Sequence, residues 1–167
     1  MALGSNLGDR EATIEAALAG LRATPGVREV VCSSLYETAP VGPPGQGSYL
    51  NAVARLDTEL EPRALLARLL ALEREAGRVR SGVRDEARTL DLDLLFHGAR
   101  CLDEPDLTLP HPRLHERPFV LAPLAELAPA LVHPRLGRTV AELARALEAA
   151  GRWPAGAVRL QRRTEAR

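Results

Sequence analysis

Tyr49-Leu50-Asn51-Ala52-Val53-Ala54-Arg55-Leu56-Asp57-Thr58 is the stretch from which the fold is read. Leu50, Ala52, Ala54 and Leu56 fall on one side of an extended chain, and Tyr49, Asn51, Arg55 and Asp57 on the other. That alternation predicts a strand. Upstream, Val27 to Tyr36 is rich in β-branched residues and predicts another strand, joined to the first by a rigid, irregular loop over Thr38 to Gly47. Asp9 suits a helix start, with Ile14, Leu18 and Leu21 on one face before Thr24-Pro25-Gly26 ends it. Met1 to Leu3 predicts a strand end, cut short by Gly4-Ser5-Asn6. Downstream, Pro62 opens a helix carrying Leu65, Leu66, Leu69, Leu70 and Leu72 that ends near Gly77, and an arginine-rich loop leads to a strand from Thr89 to Phe96. The order strand, helix, strand, strand, helix, strand predicts an α+β fold of the ferredoxin-like split βαβ type, an antiparallel sheet with both helices on one face.

The rest of the chain predicts a C-terminal helical extension. A mobile stretch runs to Pro110, then come Pro118 to Leu127 with Pro123 inside, and a last helix opened by the Thr139-Val140-Ala141-Glu142 capping box. Residues 1–151 read as a single domain and 152–167 as a frayed tail.

Composition narrows the function. With 22 basic and 22 acidic residues the net charge is zero, and every basic residue is arginine. A chain without lysine has no Walker A phosphate loop, no pyridoxal-phosphate Schiff base and no kinase-type catalytic lysine. Zero net charge and only 2 Phe, 2 Tyr and 1 Trp argue against a nucleic-acid binder. Cys32 and Cys101 are too few and too far apart for a disulfide scaffold, and no apolar run reaches membrane-spanning length. These features predict a cytoplasmic protein with free thiols, and with nothing that suggests an extensive oligomer interface, monomer is the default.

Chemistry concentrates in Arg88-Thr89-Leu90-Asp91-Leu92-Asp93-Leu94-Leu95. On a strand Asp91 and Asp93 share one face while Leu90, Leu92 and Leu94 point into the core. Two carboxylates so placed repel unless a cation sits between them, and Mg²⁺, which takes oxygen ligands and keeps phosphates and waters in its shell, is the natural one. A solvated strand face bearing two acids is the competing account. Arg74, Arg78, Arg80, Arg84 and Arg88 precede the pair, against Glu75, Asp85 and Glu86. Guanidinium forks suit phosphate oxygens, although a solvated charged loop would look the same. In His111-Pro112-Arg113-Leu114-His115 the proline biases His111 away from helical geometry and no third zinc ligand is near, which favours contact with a phosphate or a carbonyl over zinc. His97 and His133 read as structural or exposed. Tyr49 and Asn51 share a strand face, an aromatic beside a carboxamide that both donates and accepts, suited to a flat heterocycle or simply to solvent.

Six segments together resemble the 6-hydroxymethyl-7,8-dihydropterin pyrophosphokinase family of folate biosynthesis: Leu3 to Arg10, Tyr36 to Pro40, Tyr49 to Ala52, Gly77 to Arg80, Arg88 to Asp93 and Pro110 to Phe119. The resemblance implies pyrophosphoryl transfer from ATP to the pterin hydroxymethyl group, with release of AMP. It implies that Asp91 and Asp93 hold two Mg²⁺ ions and that Arg78 and Arg88 take up charge on the transferred group. Arg80, Arg117 and His111 match ATP- or phosphate-contacting positions, and Leu66, Glu73, Leu94 and Thr108 match the nucleotide pocket. The pterin pocket maps to Thr38, Pro40, Val41, Tyr49, Asn51 and Phe119, with the ring between Tyr49 and Phe119. Loops at about 42–48 and 79–88 correspond to a closing lid.

The chain departs from the family pattern in three places. Asp85-Glu86-Ala87 replaces an aromatic followed by Gly-Pro, the strand before Leu3 is shorter, which a start codon further upstream would explain, and Asp106 and Pro112 replace residues lining the adenine pocket. The first departure admits a different class of protein, a relative that binds pterin and ATP through an altered lid without catalysis.

Overall fold

The computed structural model describes residues 1–40, 44–78 and 87–152, together with the backbone of 158–160. Val41, Arg80, Asp85 and Glu86 lie outside these residues, as do 42–43 of the first expected lid loop and 79–86 of the second.

The expected split βαβ order is present: β1 (Ala2–Ser5), α1 (Arg10–Arg22), β2 (Val27–Cys32), β3 (Leu35–Thr38), β4 (Tyr49–Thr58), α2 (Pro62–Glu75) and β5 (Asp91–Asp93). β4 lies at the centre of the sheet. Its antiparallel partner on one side is β1, which in turn pairs with β5; on the other side β3 takes its first half and β2 its second. The expected single strand from Val27 to Tyr36 is interrupted at Ser33-Ser34. There the buried Ser33 hydroxyl accepts the Val53 N–H at 3.0 Å while the Ser33 N–H donates to the Val53 carbonyl at 2.9 Å. One side chain thus stands in for a ladder bond and lets the chain step from β2 to β3.

Local signals set the helix ends. Asp9 caps α1 by accepting the Ala12 N–H, Pro62 occupies the first turn of α2, and Thr139 and Glu142 form the capping box of α4 (Val140–Ala149). The stretch before Pro110 is a hairpin of β6 (Leu102–Glu104) and β7 (Leu107–Leu109), a structure the reading of a mobile segment did not foresee. A 3-10 turn at Leu114–Glu116 leads into α3 (Pro118–Leu127), and a small ladder of β8 (Val132–His133) and β9 (Arg138–Thr139) precedes α4. Val158–Leu160 forms β10 on the outer edge of β3, so these three residues of the expected frayed tail are paired.

The sheet is covered on both faces. Against one, Ile14, Leu18 and Leu21 of α1 and Leu65, Leu69 and Leu72 of α2 pack on Leu3, Leu50, Ala52, Ala54 and Leu92. Burying each of the larger side chains contributes roughly 1.5–3 kcal/mol. The helices approach closely at Gly20, where a Cβ would lie 2.5 Å from Leu72 Cδ2. Against the other face, Val120, Leu121 and Leu124 of α3 and Val140, Leu143 and Leu147 of α4 pack on Ala2, Val53 and Leu95. This second cover leaves the end of the sheet around Gly4 and Asn51 open. No helix among the described residues is long and apolar enough to cross a membrane.

Candidate active site

The uncovered end is a cavity of about 530 Å³. Register explains its floor. Gly4 of β1 stands opposite Asn51 of β4 and Asp91 of β5, and Ala2 opposite Val53 and Asp93. Residues paired directly across strands share a face, so the functional side chains of β4 and β5 flank a middle strand with almost no side chain of its own. A Cβ on Gly4 would lie 3.4 Å from Asn51 Oδ1 and 3.8 Å from the Tyr49 ring.

At the β5 end charges interlock. Asp91 Oδ1 accepts from Arg78 Nη1 at 2.6 Å and Oδ2 from Arg88 Nη1 at 2.8 Å; Asp93 Oδ2 accepts from Arg117 Nη1 at 2.9 Å, with His111 Nε2 at 3.8 Å. Glu73 lies beneath, only 2% exposed; it accepts the Leu92 N–H at 2.8 Å and pairs with Arg78. A buried carboxylate is tolerated only with such partners, and these fix both the strand and the guanidinium. Burial pushes the His111 ring below its ordinary pKa, which the Asp93 charge only partly offsets.

At the β3–β4 end the cavity is polar and aromatic. Asn51 Nδ2 donates to Thr38 Oγ1 at 2.8 Å, which directs Asn51 Oδ1 over Gly4, and both residues are buried. Pro40, Tyr49 and Phe119 complete the walls, and the Arg117 guanidinium lies 6.0 Å over the Phe119 ring.

Among the expected residues, the structure brings Thr38, Pro40, Tyr49, Asn51, Phe119, Arg88, Asp91, Asp93 and Arg117 around one cavity, with Arg78 joined to it through Asp91. Leu66, Leu94 and Thr108 lie away from that wall: Leu66 and Leu94 pack in the α1–α2 core and Thr108 sits in β7 opposite Asp103. Val41 and Arg80 lie outside the described residues.

Asn6 lies in the Leu3 to Arg10 segment, and the resemblance gives it no role. Its Oδ1 accepts the Arg88 N–H at 2.7 Å, its own N–H donates to the Arg88 carbonyl at 3.1 Å, and Nδ2 donates to Gln46 Oε1 at 3.1 Å. A polar residue directly after a strand was the available signal. Arg113, Glu116 and Arg152 also line the cavity; Arg152 carries no local motif.

The family model described as 7,8-dihydro-6-hydroxymethylpterin-pyrophosphokinase (HPPK) matches residues 1–129. The chain belongs to this family. All six motif segments fall within the matched span. A 2-amino-4-hydroxy-6-hydroxymethyldihydropteridine pyrophosphokinase of Synechocystis sp. is 43% identical over 152 residues, 91% of this chain and 77% of that protein. The protein of the same name from Pseudomonas aeruginosa is 48% identical over 143 residues, 86% of this chain and 87% of its own. A mitochondrial folate synthesis bifunctional protein of Pisum sativum is 45% identical over 127 residues, 76% of this chain and 24% of that longer protein. Within the family frame, the cluster of Asp91, Asp93, Arg78, Arg88 and Arg117 lies beside an aromatic and carboxamide pocket, an arrangement suited to holding a polyphosphate next to a flat heterocycle.

Proposed function

We propose that the chain transfers the pyrophosphoryl group of ATP to the hydroxymethyl oxygen of 6-hydroxymethyl-7,8-dihydropterin in folate biosynthesis. The observation that carries this reading is the juxtaposition in one cavity of the Asp91–Asp93 pair, each carboxylate held by arginine, with Thr38, Tyr49, Asn51 and Phe119. The hydroxymethyl oxygen forms a bond to the β-phosphorus, the bond from that phosphorus to the oxygen bridging it to the α-phosphate breaks, AMP keeps the bridging oxygen, and the hydroxyl proton is released.

The chain's own residues have distinct tasks. Thr38 and Asn51 present hydroxyl and amide groups to the edge of the pterin, and Tyr49 and Phe119 take its faces. Pro40 shapes the wall, and the resemblance assigns Val41, which lies outside the described residues, to pterin binding. Arg78, Arg88 and Arg117 bind phosphate oxygens and hold the charge that shifts from the attacked phosphorus to the leaving oxygen. His111 extends this contact, the resemblance adds Arg80, and Leu66, Glu73, Leu94 and Thr108 support the nucleotide.

Two carboxylates on one strand face, both open to the cavity, suit two Mg²⁺ ions, which prefer oxygen donors and retain phosphate ligands. Asp91 and Asp93 would hold them, and bound Mg²⁺ neutralises phosphate charge. The reading includes a monomer working in the cytoplasm.

The test is an assay of purified protein with ATP, Mg²⁺ and 6-hydroxymethyl-7,8-dihydropterin in which AMP and ADP are separated. Pterin-dependent AMP is expected, and Asp93→Ala is expected to remove it while the circular dichroism spectrum is retained. ADP in place of AMP would overturn the reaction. Binding of both substrates without either nucleotide product would make the chain the non-catalytic relative. Full activity of Asp93→Ala would overturn the metal assignment.

A further inference from the structure

Among the described residues the charges around the cavity do not pair off completely. Arg88 is taken by Asp91, Arg117 by Asp93, and Arg113 by Glu116, whose Oε2 lies 3.6 Å from Arg113 Nε. Arg78, behind the wall, is shared between Glu73 and Asp91. Arg152 is the remaining arginine of the lining. Among the described residues its guanidinium has no carboxylate partner and makes one long hydrogen bond, to the Glu116 carbonyl at 3.3 Å. A guanidinium carries five donors and a permanent charge, so most of the bonding capacity of this cavity-lining group has no partner among the described residues.

Arg152 is carried there by the fold, although it lies beyond the span matched by the family model. It follows α4, and its N–H donates to the Leu147 carbonyl at 2.9 Å in the closing turn. Because α4 packs on α3, this turn comes to rest against the Glu116–Val120 side of the cavity.

We infer that Arg152 is an additional binding residue that holds phosphate oxygens of the pterin diphosphate product, and so distinguishes this anion from the uncharged pterin alcohol. The inference rests on reading the cavity as the pterin site. Phosphate oxygens could equally belong to the nucleotide, but the cavity wall that holds Arg152 includes Thr38, Tyr49, Asn51 and Phe119 and none of Leu66, Leu94 and Thr108. The guanidinium therefore faces the pterin side. The substrate alcohol gives it no anion to meet, whereas the product carries one.

The full chain and its Arg152→Gln variant are titrated calorimetrically, in Mg²⁺, with three ligands separately: the pterin alcohol, the pterin diphosphate and a non-hydrolysable ATP analogue. The expected result is about fivefold weaker binding of the diphosphate by the variant, the scale of one exposed charge contact. Affinities for the alcohol and the ATP analogue should be unchanged, and Arg152→Lys should recover part of the loss. Unchanged diphosphate affinity would overturn the inference. Equal weakening of the alcohol would make Arg152 a plain wall contact, and weakening of the ATP analogue alone would assign the guanidinium to the nucleotide. Failure of the unsubstituted chain to bind either pterin would instead overturn the reading of the cavity itself.

Discussion

The two faces of β1 were built to opposite specifications. On the α1–α2 side the strand presents Leu3, 2% exposed, to a dense layer of leucines. On the other side Ala2 and Gly4 offer almost nothing, and what they omit becomes the cavity floor. One four-residue strand supplies packing to one face and space to the other. The lesson is that side-chain size along a single strand divides the labour between stability and binding, since alternation sends successive residues to opposite faces.

The sharpest way to break this contrast is to exchange the consequences. Leu69→Ala, on the filled face and fully buried, is expected to cost about 3 kcal/mol in urea unfolding through the cavity it leaves, with the KM for the pterin unchanged. Gly4→Ala should do the reverse. Its methyl group would sit 3.4 Å from Asn51 Oδ1, in ordinary contact and without backbone strain, so the melting temperature should hold. The added methyl occupies the floor, and the KM for the pterin should rise roughly tenfold, the scale of one misplaced methyl group in a pocket. A variant at Gly4 that lost stability and kept its KM would dissolve the division of labour.

The smallest effect concerns pH. Beside the second core His133 is 4% exposed, packed edge-on to Phe96 at 5.7 Å and near His115 at 6.2 Å. Its Nδ1 accepts N–H groups from Arg135 and Leu136, both at 3.3 Å. Burial, and then the neighbouring His115, lower its pKa below the ordinary value of 6.5. The unfolded chain therefore takes up the proton more readily. His133 contributes stability that is present above pH 6.5 and is lost as pH falls through the depressed folded value. Chemical denaturation at a series of pH values should show this decline, and His133→Asn, which keeps an acceptor and does not titrate, should flatten it.

Legibility in the sequence followed the range of the interaction. The alternation of β4, the Asp9 and Thr139 caps and the shared face of Asp91 and Asp93 depend on neighbours a few residues away, and each was read correctly. The break at Ser33 was not, because it is made by Val53, twenty residues on. The β6–β7 hairpin was concealed by its brevity: three-residue strands carry too little periodicity to be seen. In the site, the residues on strand faces were legible, while Asn6 needed Arg88 and Gln46, both distant in the chain, before its part could be seen. Arg152 depended on the packing of α4, which no local pattern encodes.

The place of β4 has one more result. Asn51 lies in the middle strand, flanked by Gly4 on one side and Tyr36 on the other. Its backbone N–H is not exposed by fraying of an outer edge, because a neighbouring strand lies on each side of β4 there. Hydrogen exchange at this position therefore proceeds through opening of the whole sheet. The backbone that carries the Asn51 carboxamide is thereby held as firmly as the core, while the carboxamide itself stands at the cavity.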